Sequence, residues 1–438
     1  MPYSEYTVGI YTLGCKVNQY ESEAIAEKFE SYGFQIQSPT QPCDIYVINT
    51  CTVTAESDRK ARQFIRRAIY KNPNAYILVT GCFSQTQPRQ IAAISGVDYI
   101  CGNANKLSVV DTAIRLCDRG MKNTTPEINN LSPDACGFEA MKISHFDRTR
   151  AYVKIEDGCE SRCTYCIIPT ARGKIRSKAP QDVLAEVRAL TENGCREIVL
   201  TGIETASYGQ DLDGYDLADL LCEIDRIPNI GRIRLGSLDP SLMKQAFVDR
   251  IATLKSLAPH FHISMQSGSD KILALMKRKY NTRMALEGMQ RLRSMNSEAQ
   301  FTTDMIVGFP QENEEDFEET LRFVKEAKFL MIHVFPYSKR QGTVASTMEG
   351  QIPENIKHER VKKLSNLQTT VQEEILREYI GKVTDVLFET YENGMAHGHT
   401  SNFIEVACPS AHSLHAKALP VRIERVEQGR CIGNLKND

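Results

Sequence analysis

The sequence lacks an excess of charge, a long apolar run and a recognisable signal peptide. It has no excess of charge, since 53 Lys and Arg face 55 Asp and Glu, for a formal net charge of −2 among 438 residues. A bulk polycation that coats nucleic acid is therefore excluded, and any nucleic acid must be held by local patches. No apolar run approaches membrane-spanning length, so we expect no membrane partner. The start, MPYSEYTVGI, lacks the basic and apolar segments of a signal peptide, and we expect a cytoplasmic protein.

Cysteine, in contrast, is plentiful, with 14 residues. Disulfide scaffolds are small and secreted, and we expect neither property here, so we predict reduced thiols, some of them cluster ligands. With 42% hydrophobic and 25% charged residues the composition is that of a globular protein with a real core. The length predicts two to three domains.

Three cysteines are clustered in the stretch Gly158–Cys166, at the spacing C-x3-C-x2-C: Cys159, Cys163 and Cys166. Thiolates are the usual ligands of iron–sulfur clusters. A closed structural zinc site needs four ligands, and no nearby His or Cys completes one. Three thiolates on a four-iron cluster would leave one iron open for chemistry.

Residues 1–140 alternate strand and helix, which predicts a Rossmann-like parallel sheet. The predicted strands include Tyr6–Tyr11, Ile45–Asn49 and Tyr76–Thr80, and a cysteine follows each of them: Cys15, Cys51 and Cys82. All three would lie at the carboxyl edge of one sheet, where open α/β folds place ligands. The spacing alone leaves two interpretations open, a second cluster site or three buried cysteines that act as small apolar residues.

Residues 145–375 show six more strand–helix units, which predicts an incomplete (β/α)6 barrel. The predicted strands are Tyr152–Ile155, Glu197–Thr201, Arg232–Leu235, Phe261–Met265, Phe301–Val307 and Met331–Phe335. Active residues of such barrels sit at the carboxyl ends of strands. Polar or glycine residues follow four of these strands, namely Glu204, Ser237, Gln266 and Gly308, and the fifth strand holds Asp304. Each could also be an ordinary cap or turn residue.

A basic run follows the cysteine loop: Arg172, Lys174, Arg176 and Lys178. From Lys142 to Lys178 the local net charge is +5, which could hold RNA phosphates in a salt-dependent way. A solvated charged face is the alternative. Lys277–Lys279 is a second, weaker basic group.

Residues 380–438 switch to short alternating runs, typical of a small antiparallel β-barrel. From Lys382 onward there are six Lys and Arg against seven Asp and Glu. Any RNA binding by residues 380–438 must therefore depend on a few residues.

Longer strings carry a family resemblance. KIEDGCESRCTYCIIPTARGKIRSK resembles the methylthiotransferase branch of the radical S-adenosylmethionine (SAM) superfamily. LGCKVNQYES, INTCTVTAESDRKAR and VTGCFSQ are similar to the three amino-terminal cysteine motifs of that family. GHTSNFIEV and RIERVEQGRCIGNL resemble the TRAM domain, an OB-like RNA-binding module.

The resemblance implies two [4Fe-4S] clusters and SAM as cofactors. The cluster on Cys159, Cys163 and Cys166 would bind SAM through its open iron and yield a 5′-deoxyadenosyl radical. The residues matching SAM-binding positions are Tyr165, Glu204, Ser237, Gln266, Asp304 and Gly308. The second cluster, on Cys15, Cys51 and Cys82, would hold the sulfur to be inserted.

The string TLGCKVNQYES favours the branch that acts on N6-threonylcarbamoyladenosine beside the tRNA anticodon. The branch that acts on isopentenyladenosine tends to read GCQMN, and a third branch modifies a ribosomal-protein aspartate. The implied reaction adds sulfur and a methyl group at C2 of the adenine, an unactivated carbon that calls for radical chemistry. Its partners would be tRNA, an external electron donor and a sulfur source. An RNA-binding iron–sulfur electron carrier or sensor without catalysis is the alternative from another class.

Overall fold

The computed structural model describes residues 2–129, 132–146 and 149–436. Three parts follow one another along the chain, a parallel α/β sheet, an open parallel barrel and a small closed barrel. In the described ranges no helix is both long enough and apolar enough to cross a membrane.

The first part is a six-stranded sheet in which every neighbouring pair is parallel, in the order β2-β1-β3-β4-β5-β6. Its strands are β1 Thr7–Thr12, β2 Gln35–Gln37, β3 Ile45–Thr50, β4 Tyr76–Gly81, β5 Tyr99–Cys101 and β6 Glu127–Asn129. Its helices are α1 Lys16–Ser31, α2 Ala55–Lys71, α3 Cys82–Thr86, α4 Pro88–Ala92 and α5 Ser108–Arg119. β3 and β4 are buried almost throughout, as expected for strands covered on both faces.

The second part holds six barrel strand positions and the helices between them. Its strands are β7 Arg150–Lys154, β8 Glu156–Asp157, β9 Arg176–Ser177, β10 Glu197–Thr201, β11 Arg232–Leu235, β12 Ser237–Leu238, β13 His260–Gln266, β14 Gln300–Val307 and β15 Met331–Pro336. Its helices are α6 Ile168–Arg172, α7 Pro180–Glu192, α8 Leu217–Ile224, α9 Gln245–Ile251, α10 Asp270–Leu275, α11 Thr282–Met295, α12 Glu314–Ala327 and α13 Glu354–Arg377.

The barrel strands form two parallel sheets, β11-β10-β7 and β12-β13-β14-β15. Only Gly236 separates β11 from β12, so the two sheets continue one another through a single broken strand. This confirms the predicted six-stranded open barrel. Strands β8 and β9 form a separate antiparallel pair that brackets the cysteine loop.

The third part is a closed five-stranded barrel in the order β16-β17-β18-β20-β19. Its strands are β16 Val383–Glu392, β17 Met395–Thr400, β18 Glu405–Pro409, β19 Ala418–Glu427 and β20 Arg430–Leu435. The predicted barrel is confirmed with one correction, because β18 and β20 pair in parallel and the barrel is therefore not wholly antiparallel. The sequence also gave no signal for β17, whose HGH segment has small and polar residues in place of an apolar alternation.

The small barrel closes the amino-terminal end of the central barrel. The ring of Phe403 stacks between the imidazoles of His260 and His399, with centroid distances of 4.5 and 4.6 Å. The guanidinium groups of Arg150 and Arg234 lie 5.3 and 4.9 Å from the same ring. Arg150 and His260 are the first residues of β7 and β13, so this contact caps the end of the barrel opposite the cysteine loop.

Candidate active site

The three cysteines of the C-x3-C-x2-C stretch lie together at the carboxyl end of β7. Gly158 allows the loop to turn there: it has φ +90°, and a Cβ at this position would meet the carbonyl oxygen of Lys174 at 1.9 Å. The Cys159 thiol donates to Glu204 Oε2 at 3.0 Å. Burial, and then the charge of Glu204, raise the pKa of Cys159, and burial raises that of Cys166 to about 12. The thiols of Cys159 and Cys166 are therefore protonated at neutral pH until a metal displaces the protons.

A cavity of about 350 Å³ opens above this loop. Among its lining residues are the three cysteines and the predicted SAM-binding residues Tyr165, Glu204, Ser237, Gln266 and Asp304. The volume is in the range of small-molecule sites, and the polar groups come from several different strands or from the loops that follow them. Gly308 is not among the lining residues, because it is buried and its N–H donates to Glu312.

Gln266 reaches the cavity through an unusual backbone. Its φ is +66°, a region that residues other than glycine rarely adopt, and the β13–β14 register shifts between Ile263 and Gln266. Such conformations cost free energy and concentrate at functional sites.

Arg278 is a site residue that the sequence did not identify. Its Nη1 donates to the Cys163 Sγ at 3.1 Å, and its Nη2 donates to Asp239 Oδ2 at 3.0 Å. The sequence showed it only as the middle of the Lys277–Lys279 group. A cation at this place favours negative charge in the cavity.

The amino-terminal cysteines also converge. Cys15 precedes α1, Cys51 follows β3 and Cys82 begins α3. Burial, followed by the nearby Cys82 and with a further contribution from Cys15, raises the pKa of Cys51 to about 12. Gly14 has φ +101°, and a Cβ there would lie 2.9 Å from the Cys51 Sγ, so only glycine lets the loop of Cys15 approach Cys51.

A buried ionic network joins the two cysteine groups. The Glu21 carboxylate of α1 accepts from Arg172 Nη1 at 2.6 Å and from Lys154 Nζ at 2.8 Å, and it pairs with Lys106. Arg172 also pairs with Asp157 at 3.1 Å. All five side chains are at most 5% exposed. Since Asp157 and Arg172 flank the cysteine loop and Glu21 lies on the helix that follows Cys15, the network fixes one loop relative to the other.

This network corrects the prediction for the basic run. Arg172 is fully buried, and Lys178 is 4% exposed with its ammonium on Glu186 and the Met141 carbonyl. Arg176 donates to the carbonyl oxygens of Pro133 and Arg172 and is 12% exposed in its side chain. The prediction that Arg172 and Lys178 bind RNA phosphates is therefore wrong, because both cations are buried in ion pairs within the protein. Lys174 alone of the four is exposed.

The cysteine loop fits a four-iron cluster. It offers an all-thiol donor set on the wall of a cavity, and sulfur is the ligand that iron–sulfur clusters take. In the described part of the chain, no three Cys, His, Asp or Glu side chains come close enough to ligate a single metal ion. A cluster has a different requirement, because each thiolate binds a different iron.

Comparisons with known proteins agree with this geometry. Residues 153–324 match the radical SAM superfamily, and residues 7–102 match uncharacterized protein family UPF0004. The solved structure of TsrM from Kitasatospora setae, a radical SAM methyltransferase, aligns over 78% of this chain and 76% of the TsrM chain. The TM-score is 0.57 and the sequence identity 14%, so the two proteins are similar in fold. The fold and the cysteine loop define a radical SAM protein, a class that uses SAM and a [4Fe-4S] cluster.

The relatives narrow the class. Threonylcarbamoyladenosine tRNA methylthiotransferase MtaB of Bacillus subtilis (strain 168) is 41% identical over 426 residues, which cover 95% of this chain and 93% of that protein. The tRNA-2-methylthio-N(6)-dimethylallyladenosine synthase of Aquifex aeolicus (strain VF5) is 32% identical, with 94% and 95% covered. The chain belongs to the tRNA methylthiotransferase family of radical SAM proteins.

Proposed function

We propose that this chain is a transferase that methylthiolates C2 of N6-threonylcarbamoyladenosine in tRNA, next to the anticodon. One observation of the structure carries the proposal. The cavity above Cys159, Cys163 and Cys166 is also lined by Val53 and Thr54, two and three residues after Cys51. A base that enters this cavity lies between the two cysteine groups, as a reaction that needs both a radical and a sulfur atom requires.

Eight of the side chains that line the cavity have a proposed task. Cys159, Cys163 and Cys166 bind a [4Fe-4S] cluster, and Tyr165, Glu204, Ser237, Gln266 and Asp304 contact SAM, while Gly308 supports the wall from behind. The bound cluster and SAM supply one-electron cleavage chemistry. Ser161 donates to Glu204 Oε2 at 2.9 Å, and the Glu204 N–H donates to Glu156, so this carboxylate is held in place before any ligand enters.

We further propose a second [4Fe-4S] cluster at Cys15, Cys51 and Cys82. Asn103 supports this assignment, because its amide donates to the Cys82 Sγ at 3.5 Å and to the Ala171 carbonyl at 2.8 Å, tying this group to the other loop. A sulfur source and an external electron donor complete the reaction, and we place it in the cytoplasm.

The mouth of the cavity suits a nucleobase. Val53 and Phe335 are 52% and 45% exposed there, which is unusual for large apolar side chains. Aromatic rings stack on unpaired RNA bases, and Phe335 offers such a ring. Lys174 remains the basic-run candidate for RNA phosphate, and we propose that the closed carboxyl-terminal barrel serves as a TRAM-type RNA-binding module.

Mass spectrometry of digested tRNA tests the proposal. A deletion strain complemented with the wild-type gene should contain 2-methylthio-N6-threonylcarbamoyladenosine, and one complemented with Cys159→Ala should contain only the unthiolated nucleoside. Methylthiolated isopentenyladenosine in the tRNA, or a modified aspartate found by mass spectrometry of the ribosomal proteins, would assign the substrate of another branch. No change in any of these, together with no SAM cleavage by the reduced protein, would favour an electron carrier.

Iron analysis tests the second cluster. Anaerobically purified wild type should hold about eight irons, and Cys15→Ala/Cys51→Ala/Cys82→Ala about four. About four irons in both proteins would leave only the cluster of the C-x3-C-x2-C loop.

A further inference from the structure

The two regions predicted to bind RNA offer few cations that are free to do so. Of the basic run behind the cysteine loop, only Lys174 is exposed. The carboxyl-terminal barrel has six Lys and Arg against seven Asp and Glu from Lys382 onward. Phosphate contacts supply a large share of the affinity of proteins for nucleic acid, and they need exposed cationic side chains. A protein that binds tRNA should therefore present such side chains elsewhere on its surface.

Helix α2 concentrates positive charge. Its 17 residues include six Lys and Arg but only two Asp and Glu, a net charge of +4 in a chain whose formal net charge is −2. Its inner face is buried through small or apolar side chains, namely Ala61, Ile65 and Ala68. Lys60, Arg66 and Arg67 are exposed to solvent, and we refer to these three side chains as the α2 cations.

The carboxylates of the helix do not neutralise the α2 cations. Glu56 pairs with Arg59, and Asp58 pairs with Arg340 at 2.8 Å. In the residues that the structure describes, none of the α2 cations has a carboxylate oxygen within 4.0 Å of its cationic nitrogens. Arg67 lies 5.8 Å from the ring of Phe64, which leaves its charge uncompensated. The α2 cations are therefore available to an anionic partner.

The beginning of α2 is fixed at the mouth of the cavity. Val53, just before the helix, lines the cavity, and so does Ser338, whose hydroxyl accepts from the Ala55 N–H at 3.3 Å. Arg340, in the same loop as Ser338, donates to the Thr52 hydroxyl at 2.6 Å. The α2 cations follow at about 8 to 18 Å along the helix axis from Ala55, at 1.5 Å per residue. The cavity mouth and the charged face thus belong to one continuous surface.

We propose that the α2 cations bind the sugar–phosphate backbone of the RNA whose base enters the cavity. The inference rests on the proposed function and adds the surface that holds the RNA beside the mouth. The phosphates that flank an inserted base pass the mouth, and those further along the strand come within reach of Lys60, Arg66 and Arg67. An acidic electron-donor protein is also complementary to this charge, but only the RNA substrate has to reach the mouth in every turnover.

The salt dependence of RNA binding tests the surface. The probe is an anticodon stem-loop RNA that carries N6-threonylcarbamoyladenosine, bound to the reconstituted holoprotein at 0.1 to 1 M salt. In Lys60→Gln/Arg66→Gln/Arg67→Gln the slope of log affinity against log salt should decrease by about 2 to 3, since each phosphate contact contributes about 0.7 to 1. A slope difference of about 2 over this tenfold range of salt lowers the affinity at 0.1 M roughly 100-fold relative to 1 M.

A matched variant controls for total charge. Arg188→Gln/Arg322→Gln/Lys325→Gln removes three exposed cations from α7 and α12, away from the cavity lining, and should keep the wild-type slope. Iron content and SAM cleavage in the absence of RNA should be unchanged in both variants, because none of the six side chains lines the cavity.

The outcomes separate this inference from the proposed function. A wild type that neither binds nor methylthiolates the stem-loop refutes the proposed function. A wild type that does both, with the same slope in the α2 variant, overturns the inference alone. Slower reduction of that variant by an acidic flavodoxin would then identify α2 as a docking surface for a protein. Equal losses of slope in the α2 variant and the matched variant would also overturn the inference, because total charge would explain them.

Discussion

Replacing Glu21 by glutamine should destabilise the docking of the first part of the chain on the central barrel. Glu21 is 1% exposed in its side chain and contacts three buried cations, Arg172, Lys154 and Lys106. Asp157 is the other buried carboxylate of this network. Glu21→Gln keeps the shape and removes the charge of one of these two carboxylates, while the buried cations Arg172, Lys154 and Lys106 remain. Removal of one partner of a buried ion pair costs about 3–5 kcal/mol.

The pH dependence follows from the sign of the shift. Burial would raise the pKa of Glu21, but Arg172, Lys106 and Lys154 hold it well below its usual value of 4.5. A depressed pKa in the folded state stabilises the protein above the unfolded-state pKa, and this stabilisation is lost as the pH falls toward the folded-state value. The difference between wild type and Glu21→Gln should therefore be full at pH 7 and shrink below about pH 4.5.

Thermal unfolding is the measurement. A loss of about 3–5 kcal/mol corresponds to a Tm decrease of roughly 6–20 °C for a cooperative unit of 150–250 residues. Glu56→Gln, which breaks an exposed pair with Arg59, should leave the Tm unchanged. Adding Lys106→Met to Glu21→Gln removes one excess cation and should recover part of the loss. An unchanged Tm in Glu21→Gln at pH 7 would refute the reasoning.

Three further changes test other parts of the site. Lys174→Gln should reduce the slope of log affinity against log salt for tRNA by about 1, with an unchanged Tm, and an unchanged slope would remove Lys174 as a phosphate contact. Gly158→Ala drives a Cβ into a backbone carbonyl and should lower the iron content, while a variant with full iron would show that the loop can relax. Because the pKa values of Cys51 and Cys166 are about 12, cluster assembly must displace protons. Iron incorporation should thus increase from pH 6.5 to 8.5, and a flat profile measured by absorbance would contradict these pKa values.

The strands of the central barrel could be predicted from the sequence because their apolar runs are short and bounded by polar ends. Glu197–Thr201 and Arg232–Leu235 are observed at the predicted bounds. β2 and β6, with three residues each, are too short for a periodic signal. Helix α1 begins at Lys16, well before Ile25 and Phe29, the apolar residues that make its buried face visible in the sequence.

The cysteines of the site could be predicted because their spacing is itself a chemical signal. The burial and the partners of the cationic side chains could not be predicted. Arg172 and Lys178 look like surface charge in the sequence, since the carboxylate that pairs with Arg172 lies 151 residues away in the chain. Arg278 was not predicted as a site residue for the same reason, because Cys163, to which it donates, lies 115 residues away in the chain. Pairing across such distances depends on how the parts dock, which local pattern does not encode.

The capping of the central barrel by Phe403 has a consequence for the size of the substrate. The cysteine loop and the carboxyl-terminal barrel occupy opposite ends of strands of five to eight residues, a separation of roughly 15–25 Å at about 3.3 Å per residue. If the carboxyl-terminal barrel binds RNA as proposed, a free nucleoside cannot touch both ends at once. The enzyme would then bind RNAs that are long and rigid enough to contact both ends. It would bind shorter fragments that carry the same base less tightly.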